Sequence, residues 1–235
     1  MDVVDNIYIN IEAVRMRIIA AAQRAGRNPG EITLIAAGKR QTAKTIQIAV
    51  DCGLYNIGEN RSQELVEKHD HVTGGVIWHF IGQLQRNKVK YVVSRLGDTA
   101  GLVQSLDRLA LAEEIDRQAR EAGVIVRCLA QVNLGTTEGQ RGGLEPGAVE
   151  KFLDSLQARK NIKLCGLMIL PPPDYDNARE YLRQGRQLFE TCQKDCPGME
   201  ILSMGMSDDY EIAIEEGSTM VRVGTAIFGQ RTNNA

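Results

Sequence analysis

A single α/β domain, a (β/α)8 TIM barrel preceded by one extra helix, is what this 235-residue chain predicts. Three observations lead there. Short β-branched or apolar runs alternate with amphipathic stretches, eight such runs occur, and Ile7, Ile11, Val14 and Ile18 share one helical face ahead of the first. Alternation implies parallel strands joined by helical crossovers, and eight of them close into a barrel more readily than they form an open doubly wound sheet. No Gly-x-Gly-x-x-Gly follows the first strand, which weighs against a dinucleotide-binding open sheet. Barrels of about 200–250 residues routinely form one domain, so residues 1–235 are read as one.

Taken in order, the leading helix spans 5–25 and closes at Gly26 and Asn28-Pro-Gly30. The strands begin near Ile32, Leu54, Val76, Leu102, Val126, Lys163, Glu200 and Met220. Helical patterns fill the gaps: 42–52 ended by Gly53, 61–69, 86–95, 108–122 between Asp107 and Gly123, 146–159, 175–194, and 208–216 ended by Gly217. The loop-like stretches 134–147 and Pro171-Pro-Pro173 follow predicted strands, so both are expected to border a site at the strands' C-terminal ends.

The composition, 43% hydrophobic with 25% charged residues, is that of an ordinary soluble globular protein. A formal charge of -2, with no basic run or basic amphipathic helix, gives no footprint for nucleic acid or a membrane surface, which leaves a small molecule as partner. Five cysteines are an odd number, and Cys192-x-x-x-Cys196 lacks a second pair for zinc; reduced thiols and no metal site are expected. Asp2 and Asp5 precede an amphipathic pattern without an apolar signal segment, so the expected location is cytoplasmic.

The most informative stretch is Ser203-Met-Gly-Met-Ser-Asp-Asp209 with Met220-Val-Arg-Val-Gly-Thr-Ala-Ile-Phe228. It reads as strands seven and eight ending in small, donor-rich residues, where such barrels hold phosphate at the N-terminus of a short helix. Ser207, Gly224 and Thr225 are the expected contacts. Lys39 ends the first strand at the same face; desolvated beside a phosphate ligand, its amine suits Schiff-base chemistry, although alone it also fits a lysine reaching to solvent. Arg222 shares the parity of Gly224, so it faces a ligand there or pairs with an acid such as Asp98 or Glu59. Donating to a pyridine nitrogen, an arginine would keep that nitrogen unprotonated and weaken the ring as an electron sink.

Asn60 and His79, near the ends of strands two and three, are candidates for hydrogen bonds to the ligand; His79 fits a satisfied core histidine equally well. Asp208 and Glu211 fit a capping box, and His69 with His71 read as a solvated turn.

Ala37-Gly-Lys39, Asn56-Ile-Gly-Glu-Asn60, Trp78-His-Phe-Ile-Gly-Gln-Leu-Gln-Arg-Asn-Lys88, Ser105-Leu-Asp107, Leu202–Asp209 and Gly217–Gly229 resemble the pyridoxal phosphate homeostasis protein family (YggS/PROSC type), nearly end to end. The resemblance implies a barrel like the alanine racemase N-terminal domain with pyridoxal 5'-phosphate (PLP) on Lys39. It also implies phosphate contacts at Ser207, Gly224 and Thr225, a pyridine-nitrogen contact at Arg222 and a ring neighbour at Met204, with Asn60 and His79 beside them. Family members are regarded as holding and buffering PLP without an established reaction, with apo-PLP enzymes as recipients. Two departures stand out: Gly38 where serine or threonine usually precedes the lysine, and Gln140-Arg-Gly142 where a lysine often precedes the glycine.

A racemase needs a second acid/base on the far face of the carbanion, supplied in the related enzymes by a tyrosine from an extra β-domain, whereas this chain stops at Ala235 after strand eight. With Arg222 weakening the electron sink, the expectation is a monomeric PLP-binding protein without catalysis of its own. The alternatives are a PLP-dependent amino-acid racemase or related enzyme, and an isomerase or aldolase using Lys39 on a phosphorylated sugar.

Overall fold

The computed structural model describes residues 3–135, 142–172 and 176–229. Eight parallel strands close into a barrel in sequence order: β1 (Thr33–Ala37), β2 (Asn56–Glu59), β3 (Ile77–Phe80), β4 (Val103–Leu106), β5 (Val126–Asn133), β6 (Ile162–Leu170), β7 (Ile201–Ser203) and β8 (Met220–Val223). Closure is made by β8 pairing with β1 from Thr33↔Met220 to Ala36↔Val223. Between the strands run α2 (Ala43–Asp51), α3 (Ser62–His71), α4 (Val89–Leu96), α5 (Leu109–Ala122), α6 (Val149–Leu156), α7 (Ala178–Asp195) and α8 (Tyr210–Glu215), with α1 (Val3–Arg24) in front and α9 (Thr225–Phe228) after β8.

The longer helices form because each buries an apolar stripe, and some also have a capped end. In α5, Leu111, Ala112, Ile115 and Ala119 are buried, and Gly123 closes the helix at φ 69°. In α2, Thr42 accepts from the Thr45 N–H at 3.1 Å. Strand alternation then produces two cores. Leu34, Ala36, Ile57, Phe80, Val103, Val221 and Val223 face outward against the helices, whereas Ile35, Leu102, Leu129, Cys165, Met168 and Met220 fill the barrel itself. Gly166 lies where the β5–β6 register shifts, at φ 154°; a Cβ there would stand 1.8 Å from the Ile201 carbonyl oxygen.

The leading helix α1 buries Ile7, Ile11, Val14 and Ile18 against α8 and α9 rather than adding to the barrel. Asn10 Nδ2 donates to the Ile227 carbonyl at 2.9 Å, and Arg24 Nε meets Glu215 at 2.7 Å. The expected capping box at 208–211 does not form: Glu211 is drawn across to Arg17 and Arg24, and Asp209 Oδ1 accepts instead from the Met206 N–H at 2.6 Å. His69 and His71 reach solvent as expected, but from the last turn of α3; His71 Nδ1 is 2.6 Å from the Glu67 carbonyl, and the His69 ring tilts against Trp78 at 6.1 Å. Residues 136–141 of the loop after β5, and Pro173, lie outside the described residues. Among those described, no helix is long and apolar enough to cross a membrane, and the five cysteines are free thiols.

Candidate cofactor-binding site

The inner face of the barrel is stacked in layers. Lowest is a polar plug, in which His79 Nε2 lies 3.1 Å from Asn56 Oδ1; burial, with Arg127 nearby, pushes the imidazole down to about 3, so the ring is neutral. His79 pairs across the sheet with Gly58, two residues before Ile81, so it sits one rung beneath the mouth.

The middle layer crosses the barrel as a hydrogen-bond relay. Arg222 Nη1 donates to Ser203 Oγ at 2.6 Å, Ser203 Oγ donates to Gln104 Oε1 at 2.7 Å, and Gln104 Nε2 points at Met220 Sδ at 3.2 Å. Arg222 Nη2 also donates to the Ile169 carbonyl at 3.2 Å. Burial pulls the guanidinium down to about 10, against the field of Asp209, so it remains charged at neutral pH. Neither Asp98 nor Glu59 pairs with it. Asp98 accepts from the Ile125 N–H at 2.8 Å, and Glu59 points outward to Lys68 at 2.7 Å.

Above this floor, at the C-terminal ends of the strands, opens a cavity of about 630 Å3. Lys39, Asn60, Ser207, Arg222, Gly224 and Thr225 all line it. Lys39 follows β1 and is half-buried. Beyond the end of β8, the strand that pairs with β1, the N–H groups of Gly224 and Ala226 converge on Ser207 Oγ at 3.2 and 3.4 Å, at the start of α9. Backbone donors gathered at one hydroxyl, with a cation below and another at the end of the neighbouring strand, suit an anionic ligand.

The structure does not bring Met204 or His79 to the cavity. Met204 lies between inward Ser203 and Gly205, so its side chain is fully buried in the outer core, and Met206 two residues on lines the cavity instead. Ile81, Gly82 and Gln83, from the motif that drew attention to His79, line it too, as do Gln131, Met168 and Gly142, whose carbonyl accepts from Gln131 Nε2. The signal was position along the chain: Ile81, Gly82 and Gln83 follow the end of β3 and so stand nearer the mouth than His79.

Fold and site together define a closed parallel (β/α)8 barrel with a lysine amine and a cluster of backbone donors at its mouth. The chain belongs to the Alanine racemase, N-terminal domain family, which matches residues 9–232, and within it to the pyridoxal phosphate homeostasis proteins. It is 39% identical over 225 residues to the pyridoxal phosphate homeostasis protein of Aquifex aeolicus, covering 94% of this chain and 96% of that one. The corresponding protein of Escherichia coli K12 is 37% identical, with 97% of each chain covered. Among solved structures, PipY of Synechococcus elongatus PCC7942, determined with PLP bound, is similar with a TM-score of 0.81 and 30% identity, covering 95% of this chain and 100% of that one.

Proposed function

We propose that this chain binds PLP in the mouth cavity, with Lys39 as the amine that takes the aldehyde, and that it serves vitamin B6 homeostasis as a holder of the cofactor without a reaction of its own. The observation that carries this reading is that one cavity joins a lysine amine, a converging pair of backbone N–H groups and a buried arginine floor. These residues fit the group: small Ser207, Gly224 and Thr225 leave room for a phosphate, and about 630 Å3 accommodates one small aromatic ligand. The names of the relatives and the PLP in PipY support it.

When bound, PLP supplies an aldehyde that condenses with amines and a ring that draws electrons from them. The protein's part is positional. Ser207 Oγ and the Gly224 and Ala226 N–H groups, which donate to that hydroxyl in the free protein, would hold the phosphate, and Lys39 would approach from the β1 side. Arg222 has donors and no acceptors, so toward a ring nitrogen it gives a hydrogen bond and leaves that nitrogen unprotonated. Among the described residues no tyrosine lines the cavity, and neutral His79 lies beneath it, which argues for holding rather than for proton transfer at a substrate carbon. A cytoplasmic monomer that passes PLP to apo-enzymes completes the proposal.

The test is an absorbance titration with PLP of the intact protein and of Lys39→Ala, followed by a search for deuterium exchange at Cα of L-alanine. Visible absorbance lost in Lys39→Ala, without exchange, is expected. Enzyme-like exchange by the loaded protein would replace the holder with a racemase-type enzyme, and no spectral response would remove PLP.

A further inference from the structure

Behind β1, on the side away from the cavity, α3 carries a lysine that is 2% exposed. A buried ammonium is costly unless every donor is used, and Lys68 uses all three: Nζ lies 2.8 Å from the Gly38 carbonyl oxygen, 2.7 Å from Glu59 Oε1 and 3.3 Å from Glu64 Oε2. Glu64 Oε2 also accepts from the Arg40 N–H at 2.9 Å. The peptide groups on the two sides of Lys39 are thus tied to one another through α3, in a ring running Gly38 C=O, Lys68, Glu64, Arg40 N–H.

Two further features make the ring specific. Arg40 holds φ 63°, a conformation that a side chain other than glycine adopts only when its surroundings impose it. A Cβ on Gly38 would lie 2.5 Å from Glu59 Oε1 and 2.9 Å from Ile46 Cδ1, so glycine is what lets the carboxylate reach Lys68 directly behind the cavity lysine.

We infer that Lys68 and Glu64 are positioning residues for Lys39: they clamp its backbone from behind, so that the amine leaves the wall of the cavity from one fixed point, and Glu59 with Gly38 completes the clamp. This rests on the reading of Lys39 as the PLP amine. A clamp of this kind acts on the bond to the aldehyde and not on the contacts to phosphate or ring.

The experiment compares two ligands in the full chain: PLP, and pyridoxine 5'-phosphate, which keeps the ring and phosphate but has an alcohol in place of the aldehyde. Lys68→Met and Glu64→Ala should weaken PLP by about tenfold or more, the scale on which misplacement of a reacting group tells, and change pyridoxine 5'-phosphate by less than about twofold. Glu64→Gln, whose amide oxygen still accepts from Arg40, should recover most of the PLP affinity. If Lys68→Met does not fold, the Glu64 pair decides alone. Equal losses for both ligands, or no loss for either, overturn the clamp while leaving Lys39 in place. A wild-type protein that binds both ligands alike and forms no adduct at Lys39 overturns the site reading and the clamp with it.

Discussion

Two buried cations stand on opposite faces of the barrel wall, Lys68 outside β1 and β2 and Arg222 inside on β8, and they are satisfied in different ways. Lys68, outside the barrel, meets two carboxylates and a carbonyl. Arg222, inside it, donates to a serine hydroxyl and a carbonyl, and among the described residues no carboxylate lies within ion-pair distance of it. The first is a closed arrangement that holds the chain in place. The second keeps its charge uncompensated at close range on the floor of a cavity, where an anionic or electron-rich ligand can use it. Charge that serves structure is neutralised locally; charge that serves a ligand is supported by neutral dipoles.

If that contrast is right, the largest stability effect belongs to Lys68. Lys68→Met should cost about 3–5 kcal/mol by urea denaturation, because it leaves Glu59 buried without its cation; Lys68→Met with Glu59→Gln should regain most of it. Arg222→Met should cost about 1–3 kcal/mol, for the unmet Ser203 and Ile169 acceptors, but should lose more of the thermal stabilisation conferred by saturating PLP. A larger stability loss at Arg222 than at Lys68 would break the comparison.

Glu59 sharpens it through pH. Burial pushes its carboxyl up to about 7 from 4.5, against the pull of Lys68, and its Oε2 has no partner. A raised acid stabilises most below about pH 4.5 and loses that contribution as pH rises through about 7, so Glu59→Gln should gain on wild type across this window, by up to about 1.4 kcal/mol per pH unit. His79 works in the opposite sense. Its lowered value makes stability full above about 6.5 and erodes it as pH falls toward 3, so His79→Gln should flatten the acid limb. The smallest effect is at the surface: Arg179, which pairs with Glu215 and Glu216, should lose under about 1 kcal/mol on change to alanine, and that loss should fade in high salt.

The barrel was legible because parallel strands buried on both faces are written as apolar runs, and the expected starts at Ile32, Val76, Val126 and Met220 lie within a residue of the observed β1, β3, β5 and β8. Lys39, Ser207, Arg222, Gly224 and Thr225, expected at one end of the barrel, line one cavity there: Lys39, Gly224 and Thr225 closely follow strands, Ser207 lies in the loop after β7 and Arg222 faces inward from β8. His79 and Met204 were not placed, since depth in the barrel and the face of a side chain next to a glycine depend on register, which sequence spacing fixes only to within a residue. The Lys68–Glu59 pair was illegible for another reason: a lysine in the polar pattern of α3 reads as solvated, and only the packing of α3 behind β1 and β2 shows it buried.

The central claim is that the lysine at the end of β1 carries the cofactor. Borohydride reduction of the PLP-loaded protein, followed by digestion and mass spectrometry, tests it most directly. One reduced pyridoxyl group per chain, on the peptide containing Lys39 and absent from Lys39→Ala, is the predicted result. A stoichiometric adduct on another lysine, or one that persists in Lys39→Ala, would contradict it.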